Sequence, residues 1–391
     1  MKYFNATHGS VRIEGSAFSN NDVSEFHILA ESTGGKSFEL QTKAVLGAVT
    51  ASLFDYNVSP DSIVFIRYFL SDSANQAEFV KNPEMYSEFG LDDCAVSIVQ
   101  QPPVNGGKVG VWAYAIHAHG QEIKRARRGA PSELSVLRGD YEHVWSAGLT
   151  LKNCGASSFD QTNAVFADLN KGLENKGYSL EKNCVRTWLF VKDIDFNYAG
   201  VVEARRKFFE ARYMTKDTHF IASTGIEGRC ADPGVSVLMD AYSLGGVSQD
   251  QIRFLKAADY LNPTHEYGVT FERGTSVDFG DRRHVYISGT ASIDAQGEIV
   301  CPKDINGQIA RTFVNISALL AEVGAAMNEV AQMIVYIRDI ADSEAVNAYL
   351  AKHYPSIPKI TLLAPVCRPG WLVEIECIAI KKSLNPAWGN F

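Results

Sequence analysis

Apolar and polar positions along this chain trace one helical pattern three times. Val45, Val49 and Leu53 recur at steps of four behind Gln41-Thr42, and Val165, Leu169 and Leu173 do the same behind Gln161-Thr162. Behind Gln308, the apolar positions Ile309, Phe313, Ile316, Leu320 and Val323 advance by alternating steps of four and three. That spacing lays an apolar stripe along a helix, so it predicts three amphipathic helices. After each comes a polar turn and then an apolar run closed by an acid: Ile63–Leu70 before Asp72, Val185–Val191 before Asp193 and Met333–Ile337 before Asp339. Short apolar runs bounded by turns predict buried strands. From Gln to Asp the separations are 31, 32 and 31 positions.

The flanks repeat as well. His143-Val144-Trp145-Ser146-Ala147-Gly148 mirrors His284-Val285-Tyr286-Ile287-Ser288-Gly289, each reading as a strand that ends at a glycine. Phe26-His27-Ile28-Leu29 is a weaker first copy. The matching positions of His143 and His284 point to a shared structural job. A second helical pattern follows each acid, as in Ala199–Ala211 and Ser343–His353. Each unit then closes on a strand: Val109–Ile116, Val235–Leu244 and Leu372–Ile380. Three matched spacings with matching flanks indicate duplication. The chain therefore reads as an α+β protein of three units, expected at 1–128, 129–258 and 259–391.

Composition adds limits. Of 391 residues, 46% are apolar and 21% charged, and 31 Gly with 13 Pro exclude collagen-like and Pro/Gly-disordered classes. A chain of this length buries a sizeable core. No run approaches the ~18 apolar residues of a membrane span, so no membrane partner is expected. Met1-Lys2-Tyr3-Phe4-Asn5 carries no apolar signal region, so a cytoplasmic location is expected. Seven cysteines, none spaced C-x-x-C, read as reduced thiols, and neither a metal nor another cofactor is expected. The net charge of −8 argues against nucleic acid as a partner. The one basic run, Lys124-Arg125-Ala126-Arg127-Arg128, reads as a solvated linker.

Four segments of the last unit carry a resemblance. Gly289-Thr290-Ala291-Ser292-Ile293, the Gln308 helix with Asn315 inside it, Val335-Tyr336-Ile337-Arg338-Asp339 and Val373-Glu374-Ile375-Glu376 resemble the RidA/YjgF (endoribonuclease L-PSP-like) superfamily. Its ordinary members are small homotrimers with pockets between subunits. The resemblance implies RidA-like (chorismate mutase-like) domains, each a mixed sheet backed by helices, fused into a single-chain pseudo-trimer that is itself a monomer or a homodimer. Cys367-Arg368-Pro369-Gly370-Trp371-Leu372-Val373-Glu374-Ile375-Glu376 is similar to the C-terminal signature of the chorismatases, and Phe271-Glu272-Arg273-Gly274 to a further segment. That similarity implies cleavage of the enolpyruvyl ether of chorismate. The chain departs from it in two places. Asp294-Ala295-Gln296 stands where those enzymes carry a His, and Asn262-Pro263-Thr264-His265-Glu266-Tyr267 keeps a Tyr but lacks an Arg.

Side chains alternate along a strand, so Glu374 and Glu376 share a face with Leu372, Ile378 and Ile380. The corresponding strands carry Val109-Gly110-Val111-Trp112 and Val237-Leu238-Met239-Asp240, so the Glu pair marks one of three interfaces. A buried Glu beside a second carboxylate holds its proton and suits delivery of that proton to the methylene carbon of an enol ether. The plain alternative is a pair of rim charges matched by Lys or Arg. A carboxylate substrate, the small anionic partner expected here, needs guanidinium groups. The candidates are Arg273, Arg338 and Arg368, with Arg205, Arg206 and Arg212 on one helix. Cys367, seven residues before Glu374, is either a catalytic thiol or an inert buried one. Tyr267 is the retained Tyr, and Gly289 with Thr290 can offer backbone N–H groups to a carboxylate.

Imine or enamine hydrolysis, the usual RidA activity, relies on the Arg of a Pro-Ala-Arg segment, where this chain has Pro358-Lys359-Ile360. Lys359 lacks the planar fork of Arg. Chorismatase-like ether cleavage, imine hydrolysis and non-catalytic ligand binding are thus the functions in view.

Overall fold

The computed structural model describes all residues except 21, 121–122, 127–132 and 152–154, together with the side chain of Tyr267. The first unit runs β1 (Lys2–His8), β2 (Val11–Asn20), β3 (Val23–Ser32), α1 (Phe38–Phe54), β4 (Ile63–Leu70), α2 (Ser73–Val80), α3 (Pro83–Phe89), β5 (Ala95–Gln100) and β6 (Val109–Ala118). The second comprises β7 (Lys124–Ala126), β8 (Glu133–Arg138), β9 (Tyr141–Thr150), α4 (Ser158–Glu174), α5 (Leu180–Asn183), β10 (Cys184–Val191), α6 (Ile194–Glu210), β11 (Ala222–Glu227) and β12 (Val237–Gly245). The third comprises β13 (Ile252–Leu255), β14 (Gly274–Asp278), β15 (Arg282–Ala291), α7 (Ile305–Glu322), β16 (Val330–Ile337), α8 (Ser343–His353), β17 (Lys359–Leu363) and β18 (Val373–Lys382).

Each unit forms one six-stranded sheet, ordered β1-β2-β3-β6-β4-β5, β11-β10-β12-β9-β8-β7 and β13-β14-β15-β18-β16-β17. The sheets are mixed: β4–β5, β10–β11 and β16–β17 pair in parallel, the other neighbours antiparallel. By sheet membership, β7 and β13 go with the unit that follows them, although both precede positions 129 and 259. Part of the expected basic linker is therefore strand. Arg125 donates to the carbonyls of Ile63 at 3.2 Å and Asp93 at 3.1 Å, while Arg127 and Arg128 lie outside the described residues.

The repeated glutamine has a physical reason. Gln41, Gln161 and Gln308 each occupy the fourth position of their helix and are buried. Each amide bridges the helix start to the start of the closing strand. The Gln161 Oε1 accepts from the backbone N–H of Ser236 (2.8 Å) and Val237 (3.2 Å), while its Nε2 donates to Ala156 and Gly234 carbonyls. Gln41 does the same with Lys36 and Lys108, and Gln308 with Cys301, Gly370 and Leu372. In the first unit the second helix is split. Pro83 has no N–H and sits at the first position of α3, capped by Asn82, so α2 stops before it.

One face of each sheet is covered by helices. In the second unit Leu189, Val191, Met239 and Ala241 pack with Val165, Leu169 and Val201 of α4 and α6. The alternate residues Trp188, Phe190, Leu238 and Tyr242 face the other way, into a core shared by all three units. Trp112, Trp145 and Trp188 meet there, with ring centroids 6.4 Å apart for Trp112–Trp145 and 5.9 Å for Trp112–Trp188. The sheets are also stitched edge to edge. Backbone N–H groups of Gln100, Glu272 and Leu363 donate to carbonyls of Arg229, Ile221 and Pro102 in neighbouring units. His143 and His284 sit at equivalent strand starts, as their spacing suggested. His143 bonds the Tyr242 hydroxyl at 2.7 Å, and His284 meets Glu25 of the first unit at 3.0 Å. Burial opposes ionisation of Glu25, but His284 and Arg282 hold its carboxyl well below the usual range.

Replacing Gln161 by Ala removes the partner of the buried Val237 N–H, of the half-buried Ser236 N–H and of two carbonyls. The expected cost is ~1–3 kcal/mol of stability, read as a lower midpoint in chemical denaturation.

Candidate active site between the second and third units

A narrow pocket enclosing about 470 Å³, its open mouth included, lies between the second and third units. The second unit contributes Tyr198 and Arg205 from α6 and Ser223 and Gly225 from β11. The third contributes Phe271 and Arg273 ahead of β14, Gly289 and Ala291 of β15, Cys367, Arg368 and Trp371 from the β17–β18 loop, and Glu374 of β18. Tyr198 and Arg205 are seven residues apart, two turns of one helix, so they share a face.

Glu374 and Glu376 point the same way, but their surroundings differ. Glu376 is 1% exposed and fully engaged. Its Oε2 accepts from Arg186 at 2.8 Å and from the Thr224 hydroxyl, and its Oε1 from the Trp188 indole at 2.8 Å. Arg186 also stacks over Trp188, 4.8 Å from the ring centroid. Glu374 is 4% exposed and lines the pocket without an ion pair among the described residues. Burial and the neighbouring Glu376 charge push its carboxyl up to about 8, against the opposing pull of Arg186 and Arg273. At neutral pH it is a carboxylic acid. Gly289 makes room for it, because a Cβ there would lie 2.1 Å from the Glu374 Oε1.

Cations surround this acid. Arg205 is buried and donates to the Ser223 hydroxyl at 3.4 Å. Arg273 is buried and donates to the Asn262 carbonyl at 2.9 Å and to its side-chain oxygen at 3.1 Å. The Phe271 ring lies between them, 5.7 Å from Arg205 and 5.5 Å from Arg273. Arg368 is exposed at the mouth, over Trp371. Cys367 is hydrogen-bonded to Tyr198, and burial and the Glu374 charge push its thiol up to about 12. It therefore stands as a neutral thiol and not as a nucleophile.

The structure thus brings together Glu374, Cys367, Arg205, Arg273, Arg368 and Gly289, with Glu376 directly behind. It places the other candidates elsewhere. Arg212 folds over Phe208, 3.7 Å from its ring, and caps the Phe208 carbonyl. Arg338 clips the Val366 carbonyl and pairs with Asp195, bridging the two units outside the pocket. Arg206 pairs with Glu210 on the helix surface. Thr290 is buried and donates to the Ser288 carbonyl. Lys359 lies at a different interface, paired with Glu14 at 3.1 Å. The Tyr267 side chain lies outside the described residues. Sequence reasoning passed over Tyr198, Ser223 and Arg186, and took in Phe271 and Trp371 only as parts of the segments that carry the resemblance. Arg186 left a signal, since it is the one charge in the apolar strand Cys184–Val191.

Among the described residues, no group of three or more His, Cys, Asp or Glu is placed to hold a metal ion. No helix there is long and apolar enough to cross a membrane. Six cysteines are free thiols, and Cys154 lies outside the described residues.

Three fused α+β units with pockets at their seams define the class of protein. Residues 276–381 match the family model described as endoribonuclease L-PSP. A RutC family protein of Pyrococcus abyssi is 33% identical over 101 residues, 25% of this chain and 79% of that protein. A RutC family protein of Saccharolobus solfataricus is 31% identical over 99 residues, again 25% and 79%. The chain belongs to this family, the RidA/YjgF superfamily, through its third unit. As a whole it shares its fold with a chorismatase crystal structure. That match has 17% identity and a TM-score of 0.64, and it covers 92% of this chain and 100% of the other.

Two stability predictions follow from the carboxylates. Glu376→Ala leaves Arg186 buried without a counter-charge and is expected to cost ~3–5 kcal/mol in a denaturation experiment. Glu374 binds its proton up to about pH 8 when folded but only to about 4.3 when unfolded. Between those values the folded state holds the extra proton, so stability falls as pH rises. Glu374→Gln removes this component. From about pH 5 to about pH 8 the thermal midpoint of the wild type is expected to fall more steeply than that of the variant.

Proposed function

We propose that the chain is an enzyme that cleaves the enolpyruvyl ether of a chorismate-like carboxylate, with Glu374 as proton donor. The observation that carries this reading is a buried carboxyl, beside a second carboxylate and without an ion pair among the described residues, facing a pocket lined by three guanidinium groups. Arg205, Arg273 and Arg368 suit the carboxylates of such a substrate, and Phe271 and Trp371 offer apolar walls for its ring. Glu374 gives its proton to the methylene carbon, and the double-bond electrons form the new C–H bond. The positive charge left on the ether carbon takes the oxygen of a water molecule, whose proton returns to Glu374. The resulting hemiketal breaks its bond to the ring oxygen, which takes the hemiketal proton. The net change is ether plus water to pyruvate plus alcohol. Glu376 is held by its three donors, Arg186, Thr224 and Trp188, and lies behind Glu374 without reaching the substrate. Imine hydrolysis is less well supported, because Lys359, the residue nearest the Pro-Ala-Arg position, is tied to Glu14 outside this pocket.

The test is chorismate consumption with chromatographic identification of products, comparing the wild type with Glu374→Gln. Turnover is expected in the wild type, with a drop of ~10²–10⁴-fold in the variant. The wild-type rate is expected to decline above about pH 8 as Glu374 loses its proton. Folded wild-type protein that leaves chorismate untouched overturns the proposal.

A further inference from the structure

We infer that the first unit, which contributes none of the residues lining the candidate active site, takes part in it from behind. Arg67, paired with Asp240, is a positioning residue for Glu374 that acts through Trp188, Arg186 and Glu376. The inference rests on the reading of Glu374 as the acid. Its test needs no substrate, so the two fail separately.

The strand registers put the parts on one level of the shared core. Arg67 pairs with Trp112, Trp188 with Asp240 and Ile334 with Glu376, so these residues hold equivalent positions in the three units. Arg67 and Trp188 are therefore counterparts, and each reaches the carboxylate of the next unit. The Arg67 Nε donates to the Asp240 Oδ2 at 2.9 Å, and a terminal nitrogen lies 2.7 Å from the same oxygen. The Trp188 indole donates to the Glu376 Oε1 at 2.8 Å. These two contacts are joined through one ring. The Arg67 guanidinium lies 4.7 Å from the Trp188 centroid, and the Arg186 guanidinium 4.8 Å from it. Phe65, Trp112 and Phe190 enclose Arg67 further, at 5.4, 5.2 and 5.0 Å. A guanidinium is attracted to the electron-rich face of an aromatic ring. Two of them thus hold Trp188, whose N–H holds Glu376 behind Glu374.

Packing does not require an ion pair at this level. At the seam of the third and first units the same positions carry Ile334 and Trp112, and apolar side chains often replace a buried pair without loss of stability. What Arg67 and Asp240 add is charge beside the Arg186–Glu376 pair. Burial lowers the proton affinity of Arg186, Glu376 raises it, and the like charge of Arg67 lowers it. Tyr336 of β16 stands among the same charges: burial and Glu376 push its hydroxyl up, against the pull of Arg67 and Arg186. Asp240 offsets the charge of Arg67. Without that offset, the positive charge favours the ionised form of Glu374. The titratable and charged groups facing Glu374 are Glu376 on its own strand, Arg186 of β10, Tyr336 of β16 and Arg273 ahead of β14. Tyr198 and Arg205 face it from α6, and Cys367 and Arg368 from the β17–β18 loop. The test alters none of these.

The measurement is carbon-13 titration of the side-chain carboxyl groups in the full chain, for the wild type and three variants. Asp240→Asn keeps an oxygen for the Gly148 N–H, which Asp240 accepts at 2.7 Å, but removes the counter-charge of Arg67. It is expected to lower the Glu374 inflection by about half a pH unit or more. Arg67→Gln leaves the negative member and is expected to raise it. Arg67→Met/Asp240→Asn removes both charges and is expected to return it to within ~0.2 unit of the wild type, which a packing defect would not do. Thermal midpoints report which variants are folded, and if Asp240→Asn is not, Arg67→Gln decides with the opposite sign. An inflection that stays within ~0.2 unit of the wild type, or moves the other way, overturns the inference. So does a double variant displaced as far as the single one.

Discussion

The constraint on which this structure depends is the second face of each sheet. Helices cover only one face, and the other carries large apolar side chains that no unit can bury alone. Every position of β3 is buried, and Trp112, Trp145 and Trp188 are each at most 2% exposed. Aromatic side chains of this size bury ~150–250 Å² each, so leaving those faces in water is far costlier than joining the units. The three sheets therefore close on one another. The seams between them become clefts walled by buried side chains, which is the setting in which a carboxyl can be held protonated.

Duplication produced three seams, and a few positions decide what each one does. The closing strands present Trp112, Asp240 and Glu376 at one level and Gly110, Leu238 and Glu374 at the next. Asp240 is paired with Arg67 of the first unit at 2.7 Å, much as Glu376 is paired with Arg186 of the second. Each pair locks one seam. Only the third closing strand adds a further carboxylate, and only there does glycine at 289 leave space for it. A buried ion pair is a poor source of net stability. Here it fixes a negative charge beside Glu374, and that charge keeps the neighbouring proton in place.

Much of this was legible in the sequence, for identifiable reasons. Helices with an apolar stripe and strands with both faces buried leave strong periodic signals, so β4 and α8 fall where the pattern placed them. Short edge strands such as β7 and β13 have too few residues to show a period, and the division of the units there was not visible. At the site, alternation along β18 put Glu374 and Glu376 on one face, and residue type pointed to Arg205, Arg273 and Arg368. Residue type also promoted Arg212 and Arg338, and the match to a Pro-Ala-Arg segment promoted Lys359; their partners Phe208, Asp195 and Glu14 are set by tertiary packing. Tyr198 and Trp371 join the pocket only because two units meet, and no local pattern in either records that meeting.

The central claim is that the seam holds Glu374 as an acid at neutral pH. Carbon-13 titration of the side-chain carboxyl groups in the folded chain, with the Glu374 signal assigned by its loss in Glu374→Gln, reads this directly. The account predicts an inflection near pH 8 for that signal. An inflection in the ordinary range, about 4.3, contradicts it.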